Sequence, residues 1–429
     1  MKQRPKLTAG IAGSGFAARF HYEALERVHG VTVEIGGVYS PTKKNCRLFA
    51  KERDITPYDT VEELIAASDV VHVCTPPSSH EEIVLKVLEA GKSCIVEKPF
   101  TGYFGDGSAT FNGRTFSRAD GLSGAMASVQ RMLAAEQKST GQILYAENWV
   151  YAPAIQKERE VIEKTGAQVL WMHGEESHSG SHSKYYGIWS HSGGGSLMGK
   201  GVHPLTAALY LKKVEGRART GVAIRPATVS ARTHAVTTSK GFDDKGHLRT
   251  SYTDIEDFGL MHVVFDDGTF ADIFASELVM GGVHNWLEVC ANNHRTVCNI
   301  NPNTAMQTYN PREEYFKDIY VVEKTETKQG WASTSPDEDW FTGYQHEMDA
   351  FYRDVAAGRP AEADSLLAAD TIATVYAAYL SAEQQGRQVE IPRTAPDGTT
   401  GRAPQGRGPN RRTTGPGRTA AGPENATGD

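Results

Sequence analysis

The sequence predicts an α/β protein, built from a parallel sheet in its first third and a larger, mostly antiparallel open sheet after it. Three observations carry the prediction. Strands and helices alternate through the first 100 residues, a glycine-rich turn closes the first strand, and several strands of alternating polarity crowd into 225–300.

"LTAGIAG" (7–13) reads as a strand, "FAARFHYEALERV" (16–28) as a helix and "VTVEIGGVYS" (31–40) as a second strand. Thr60 and Glu63 have capping-box spacing before "VEELIAAS", and Ser79 and Glu82 repeat it before "IVLKVLEAG". Between those helices, "DVVHVCTPP" (69–77) is a strand stopped by two prolines. "CIVEKPF" (94–100) is an apolar run of the length that suits a strand covered on both faces. It ends on Glu97, Lys98 and Pro99. A lysine there is either a surface cap or a working group at the carboxyl edge of the sheet. Residues 102–121 are rich in glycine and aromatics without periodicity, which predicts a loop near that edge. A helix (124–139) and the strand "QILYAENWV" resume the pattern.

From about 151 the style changes. After one helix and the strand "AQVLWMHGEE", the segments "ATVSARTHAV", "FGLMHVVF", "TFADIFAS" and "NWLEVCA" alternate as strands with one covered face do. Helices are predicted over roughly 343–357 and in "LLAADTIATVYAAYLSAEQQ". Beyond 393 the chain is Pro, Gly, Arg and Thr with few large apolar residues, which predicts a disordered tail. The division is 1–148 for the parallel α/β domain with a loop insertion at 102–121, 149–392 for an α+β domain, and 393–429 for the tail.

With 39% hydrophobic and 23% charged residues, the 429-residue chain is of ordinary globular composition, and a net charge of −7 offers no field for nucleic acid or an anionic membrane. No apolar run approaches membrane-spanning length and no signal peptide opens the chain. The five cysteines lack a CxxC pair and read as reduced thiols, so a cytoplasmic enzyme is the expectation.

Gly13-Ser14-Gly15-Phe16-Ala17-Ala18 fits GxGxxA between a strand and a helix. Gly13 permits the tight turn, Gly15 admits a pyrophosphate to the backbone, and Ala18 lets the helix that starts at Phe16 sit close to the sheet. A glycine-rich turn with no ligand is the alternative. The second strand ends on Ser40, followed by Lys43 and Lys44, where an acid would grip the ribose of NAD. A hydroxyl and two cations tilt toward the 2′-phosphate of NADP; equally, Ser40 could bond the ribose of NAD.

"AGSGFAARFH", "VHVCTPPSSHEEIVLKVLEAGKSCIVEKPF", "GGGSLMGKGVHP" and "GYQHEMDAFYRDVAAGRP", in that order, resemble the Gfo/Idh/MocA family of NAD(P)-dependent sugar and polyol oxidoreductases. The resemblance runs from about 8 to 392, outside the 102–121 loop. It implies a Rossmann domain followed by a domain whose open sheet often forms oligomer contacts, and hence a homodimer or homotetramer. It places Lys98 beside the nicotinamide and the substrate hydroxyl, held by Glu97 and Pro99, with Thr75, Pro76, Pro77 and His80 along the nicotinamide ribose. Burial beside a cationic ring would lower a lysine pKa into the working range. His203 matches the last residue of the family pattern GGGxxxDxGxH, but the aspartate position is Gly199 and Lys200 follows it. Where relatives carry Asn-aromatic-Arg, this chain has Asn148, Trp149 and Val150, then Tyr151.

The run "HGEESHSGSHSKYYGIW" (173–189) should lie over the substrate pocket and brings Glu175, Glu176, His178, His182 and Tyr186. An exposed loop is a second reading. A metal held by His178 and His182 is a third, but it needs a helix that this Ser/Gly-rich run disfavours, so no metal is expected. Two functions stay open. One is oxidation of a secondary hydroxyl of a sugar, glycoside or polyol by NAD or NADP, with Lys98 and His203 handling the proton. The other is an NAD-dependent glycoside hydrolase of the same fold, working by transient oxidation, elimination, water addition and re-reduction. Either takes a small carbohydrate and neither nucleic acid nor membrane.

Overall fold

The computed structural model describes residues 4–181, 185–300, 306–321, 325, 327–394 and 400–401. Six parallel strands form the first sheet: β1 (Lys6–Ala12), β2 (Thr32–Tyr39), β3 (Thr56–Tyr58), β4 (Val70–Val73), β5 (Ser93–Glu97) and β6 (Ile143–Ala146). Their spatial order is β3-β2-β1-β4-β5-β6. The order reverses between β1 and β4, and at such a switch point the carboxyl ends of the strands open a crevice. The crossover helices are α1 (Phe16–Leu25), α2 (Lys43–Arg53), α3 (Val61–Ala66), α4 (His80–Glu89) and α5 (Arg118–Glu136). Helices on both faces explain why every residue of β4 and β5 is buried.

Local chemistry sets the ends of these elements. The capping box at Thr60 and Glu63 forms. The one expected at Ser79 does not, because the Ser79 hydroxyl instead bonds Thr75 Oγ1 and the Pro76 carbonyl, both at 2.8 Å. α5 starts six residues earlier than predicted, since Ser117 accepts from the Asp120 amide within a run that looked like loop. The remaining loop, 102–116, lies at the carboxyl edge and is packed by its own rings. Tyr103, Phe111 and Phe116 pack edge and tilted on one another, and Phe116 meets Trp189 at 5.0 Å.

Past α6 (Asn148–Tyr151) and α7 (Pro153–Thr165), β7 (Val169–Ser177) begins the second sheet; α8 (Trp189–Ser192), a wide π-type turn (Leu197–Gly201) and α9 (Val202–Thr220) follow. β8 (Pro226–His234), β9 (Phe258–Phe265), β10 (Phe270–Ser276), β11 (His284–Ala291) and β12 (Arg295–Asn299) complete it with a late strand, β15 (Val389–Glu390). The order is β12-β11-β7-β10-β9-β8-β15, antiparallel except for the parallel pair β7–β10. β13 (Gln307–Asn310) and β14 (Gly330–Ser333) make a small hairpin.

The last helices tie the two sheets together. α10 (Glu338–Thr342) leads into α11 (Tyr344–Ala357), which packs on α1, and α12 (Ser365–Glu383) packs on both α5 and β8. α12 is long and apolar enough to cross a membrane, yet it is a core helix, buried along most of its length. Residues 363–364 cover the free edge of β6: the Tyr145 amide donates to the Ala363 carbonyl at 2.9 Å. The tail expected from 393 is tied down at its start, because β16 (Arg393–Thr394) pairs with β17 (Thr400–Gly401) and Thr394 is buried. Apart from those two strands, the expectation for the tail falls outside the described residues.

Candidate active site

The glycine turn leaves β1 at Gly13, whose φ of +124° is a glycine conformation, and its amide donates to the Tyr39 carbonyl at 2.7 Å. A Cβ on Gly13 would lie 2.5 Å from the Cys74 carbonyl oxygen; a Cβ on Gly15 would meet nothing within 4 Å. Gly15 caps α1 with no side-chain bond to its amides, the first turn of the helix carries no acid, and Ala18 is fully buried. This is an open cradle for an anion. It opens into a cleft of about 440 Å³ that runs past Ser14, Ser40, Asn45, Thr75, Pro76 and Lys98, and among its described lining residues there is no carboxylate. Ser14 donates to Ser40 at 3.0 Å. Lys43 is not brought to the cleft, because Asp59 holds its ammonium through both the main-chain carbonyl and the carboxylate.

Lys98 lines this cleft and also a second cavity of about 170 Å³ whose walls include Phe16, Asn148, Trp149, Glu176, His178, His203 and Tyr344. Its Nζ donates to the Gly199 carbonyl in the wide turn at 2.9 Å. Glu256 fastens that turn: its carboxylate accepts from the Gly195 and Leu197 amides at 3.0 and 3.1 Å and from the Tyr379 hydroxyl at 2.6 Å.

His203 enters the cavity between two carboxylates. Glu147 Oε1 lies 2.5 Å from Nδ1, and a carboxylate there can only accept, so Nδ1 carries the proton and Nε2 faces the cavity. Trp149 stacks on the imidazole at 5.9 Å between centroids, with an interplanar angle of 20°. Glu176 Oε2 lies 3.7 Å from Nε2, too far for a hydrogen bond, and has no partner among the described residues. Burial pushes the Glu176 carboxyl up from its ordinary range, against the pull of His203, Lys98 and Lys200.

Other residues named from the sequence lie elsewhere. Glu175 is on the opposite face of β7 from Glu176, because side chains alternate along a strand, and it points to the open side of the sheet. Tyr151 is a core residue, its hydroxyl accepting from the Ala363 amide at 3.1 Å. His80 is fully buried and ties the Thr75 carbonyl (2.9 Å) to the Pro99 carbonyl (3.1 Å), bracing the cleft wall without lining it. Lys200 is buried against Glu277 and lines neither cavity. Glu97 also lies behind the surface: it accepts from the Lys98 amide at 2.9 Å and holds its lysine in place without reaching either cavity. Tyr186 lines the cofactor-side cleft and fills the space beside Gly199, where a Cβ would sit 1.7 Å from its hydroxyl. His182 falls outside the described residues.

Glu147 and Tyr344 were not singled out from the sequence. Glu147 stands immediately before Asn148 and Trp149, and an acid in that place was the one available signal.

Residues 7–111 match the Gfo/Idh/MocA family, an oxidoreductase family with an NAD-binding Rossmann fold. Over these residues the chain is similar to that family, in the part that forms its nucleotide-binding sheet. Glucose-6-phosphate 3-dehydrogenase of Bacillus subtilis is 36% identical over 90 residues, 21% of this chain and 25% of that protein. UDP-N-acetylglucosamine 3-dehydrogenase of Acidithiobacillus ferrooxidans is 28% identical over 95 residues, 22% of this chain and 29% of the relative. The chain spans between 25% and 61% of the length of the curated relatives it is compared with. GenD2 from gentamicin A biosynthesis, solved in complex with NAD, superposes with a TM-score of 0.71 at 22% identity, covering 90% of this chain and 97% of that one. At that identity the likeness speaks for the fold.

The two glycines of the turn separate folding from binding. Gly13→Ala forces a side chain into the Cys74 backbone at positive φ, so its melting temperature should fall with its NAD affinity. Gly15→Val places its side chain in open space where the pyrophosphate would lie. Its melting temperature should stay put while NAD binding by calorimetry disappears; unchanged affinity contradicts the assignment.

Proposed function

We propose that the protein oxidises a secondary hydroxyl of a sugar, glycoside or polyol with NAD or NADP. The observation that carries this reading is the position of Lys98, the residue shared by the dinucleotide-shaped cleft and the cavity that holds His203. The dehydrogenase relatives named for sugar substrates support it.

The cradle at 13–16 and the hydroxyls of Ser14 and Ser40 fit the group, and a bound nicotinamide supplies the hydride acceptor. Lys98 and His203 both reach the cavity and can take the proton of the reacting hydroxyl as its C–H bond breaks. Glu147 keeps His203 in the tautomer that accepts at Nε2 and offsets the charge it gains. Trp149 offers an aromatic face in the same cavity. With no acid among the described residues of the cleft, the ribose end tolerates a 2′-phosphate, so Ser40→Asp should move preference toward NAD; an unaltered NADP-to-NAD ratio contradicts this.

Lys98→Met and His203→Ala should each lower kcat by roughly 10²–10⁴, the worth of one acid–base group. Near-normal turnover of either removes its role.

One observation favours the hydrolase as a second reading. A buried Glu176 whose carboxyl is pushed up faces the same cavity, and simple oxidation has no need of a further acid. Glu176→Gln discriminates. In a dehydrogenase, NADH still forms steadily and mainly KM rises. In a hydrolase, aglycone release collapses and enzyme-bound NADH accumulates at 340 nm.

For partners, we infer self-association through the open face of the second sheet. Trp171, Phe270, Phe274 and Trp286 share that face half-buried, and Trp171 stacks on Phe270. Light scattering should show a dimer or tetramer that Phe274→Asp splits. A monomeric wild type overturns it.

A further inference from the structure

Four buried side chains from four elements form one hydrogen-bonded line behind Lys98. Tyr352 (α11) lies with its hydroxyl 2.8 Å from His72 Nε2 (β4). His72 Nδ1 is 2.8 Å from His21 Nδ1 (α1), and His21 Nε2 is 3.0 Å from Glu97 Oε1 (β5). The other Glu97 oxygen accepts from the Lys98 amide at 2.9 Å. His21, His72 and Tyr352 are fully buried, out of reach of bulk solvent.

Two proton placements match these distances, and they run in opposite directions. In one, Tyr352 O–H donates to His72 Nε2, His72 Nδ1–H donates to His21 Nδ1, and His21 Nε2–H donates to the carboxylate. Every donor then has an acceptor and both imidazoles are neutral. In the other, His21 Nδ1–H donates to His72 and His72 Nε2–H donates to Tyr352, with either an imidazolium at His21 or a proton on Glu97. The Tyr352 O–H then points at no acceptor among the described residues, and a buried donor left unpaired is costly. The first placement is favoured.

We propose that Tyr352, His72 and His21 form a positioning relay whose donors all point toward Glu97, keeping it a carboxylate and thereby fixing where Lys98 leaves the sheet. The inference rests on the reading of Lys98 as a proton-handling group. Titration behaviour agrees. Burial holds His72 well below the usual imidazole range. Burial would raise Glu97, but the His21 bond and the neighbouring Lys98 ammonium hold the group below its ordinary value. The relay also explains a residue the fold does not require. A buried strand position such as 72 is ordinarily apolar, and here it carries an imidazole because both its nitrogens have assigned partners.

The test is nitrogen NMR on the full chain labelled with 15N-histidine, at pH 7. The relay predicts two neutral rings of opposite tautomer, His72 protonated at Nδ1 and His21 at Nε2. Tyr352→Phe removes only the terminal donor. It should shift the His72 Nε2 resonance and lower kcat about tenfold to a hundredfold, through misplacement of the reacting lysine, with the NAD dissociation constant unchanged. If the first variant folds poorly, His72→Val serves instead: it should shift the His21 Nδ1 resonance and lower kcat by the same factor. Turnover is followed at 340 nm with whichever sugar or polyol of a substrate panel the wild type oxidises. An imidazolium at either ring in the wild type overturns the relay, as does wild-type turnover in folded Tyr352→Phe and His72→Val. The NMR result does not depend on turnover, so a failed Lys98 reading shows separately, in Lys98→Met.

Discussion

The site depends on how one charged residue is accommodated at the end of a fully buried strand. All five residues of β5 are buried, and the last is Glu97. An ionised carboxylate there is costly unless it is paired and hydrogen-bonded. It is bonded twice, by His21 from the side and by the Lys98 amide from its own chain. That second bond turns the backbone so that Lys98 emerges where the cleft and the cavity meet. The price of one buried charge is thus what positions the lysine that follows it.

The second half of the chain completes that arrangement from outside. β7 delivers Glu176, the wide turn delivers the Gly199 carbonyl that receives Lys98, and α9 delivers His203. Tyr344 and Tyr352 come from α11, whose packing on α1 brings the carboxy-terminal part of the sequence against the nucleotide fold. The Gly199–Tyr186 contact belongs to the same construction. No side chain fits at 199 while Tyr186 lies there, so an aspartate at that position and this tyrosine exclude each other.

Much of this was legible in the residues. Alternating strands and helices fixed the parallel sheet because a crossover unit has a single strongly preferred hand. The strands of 225–300 were legible because one face is covered and the other open, and polarity follows the face. Glu175 and Glu176 show where such reading stops. Adjacent residues on a strand point to opposite faces, and only the register of β7 against β10 and β11 says which faces inward. Tyr151 and His80 failed for a related reason: a polar side chain near a motif was read as a ligand contact, and the structure gives each a backbone partner instead. Glu147 and His72 were passed over because a lone acid or histidine inside an apolar stretch has no periodic signature. Their roles follow from partners more than 50 residues away.

The central claim is that Lys98 stands at the junction of cofactor and substrate. A crystal structure of the NAD complex tests it most directly. The account predicts the pyrophosphate against the amides of residues 13–16 and the nicotinamide beside Lys98 Nζ, with its exposed face toward His203 and Glu176. A nicotinamide turned away from Lys98, or a pyrophosphate bound off the glycine turn, would contradict it.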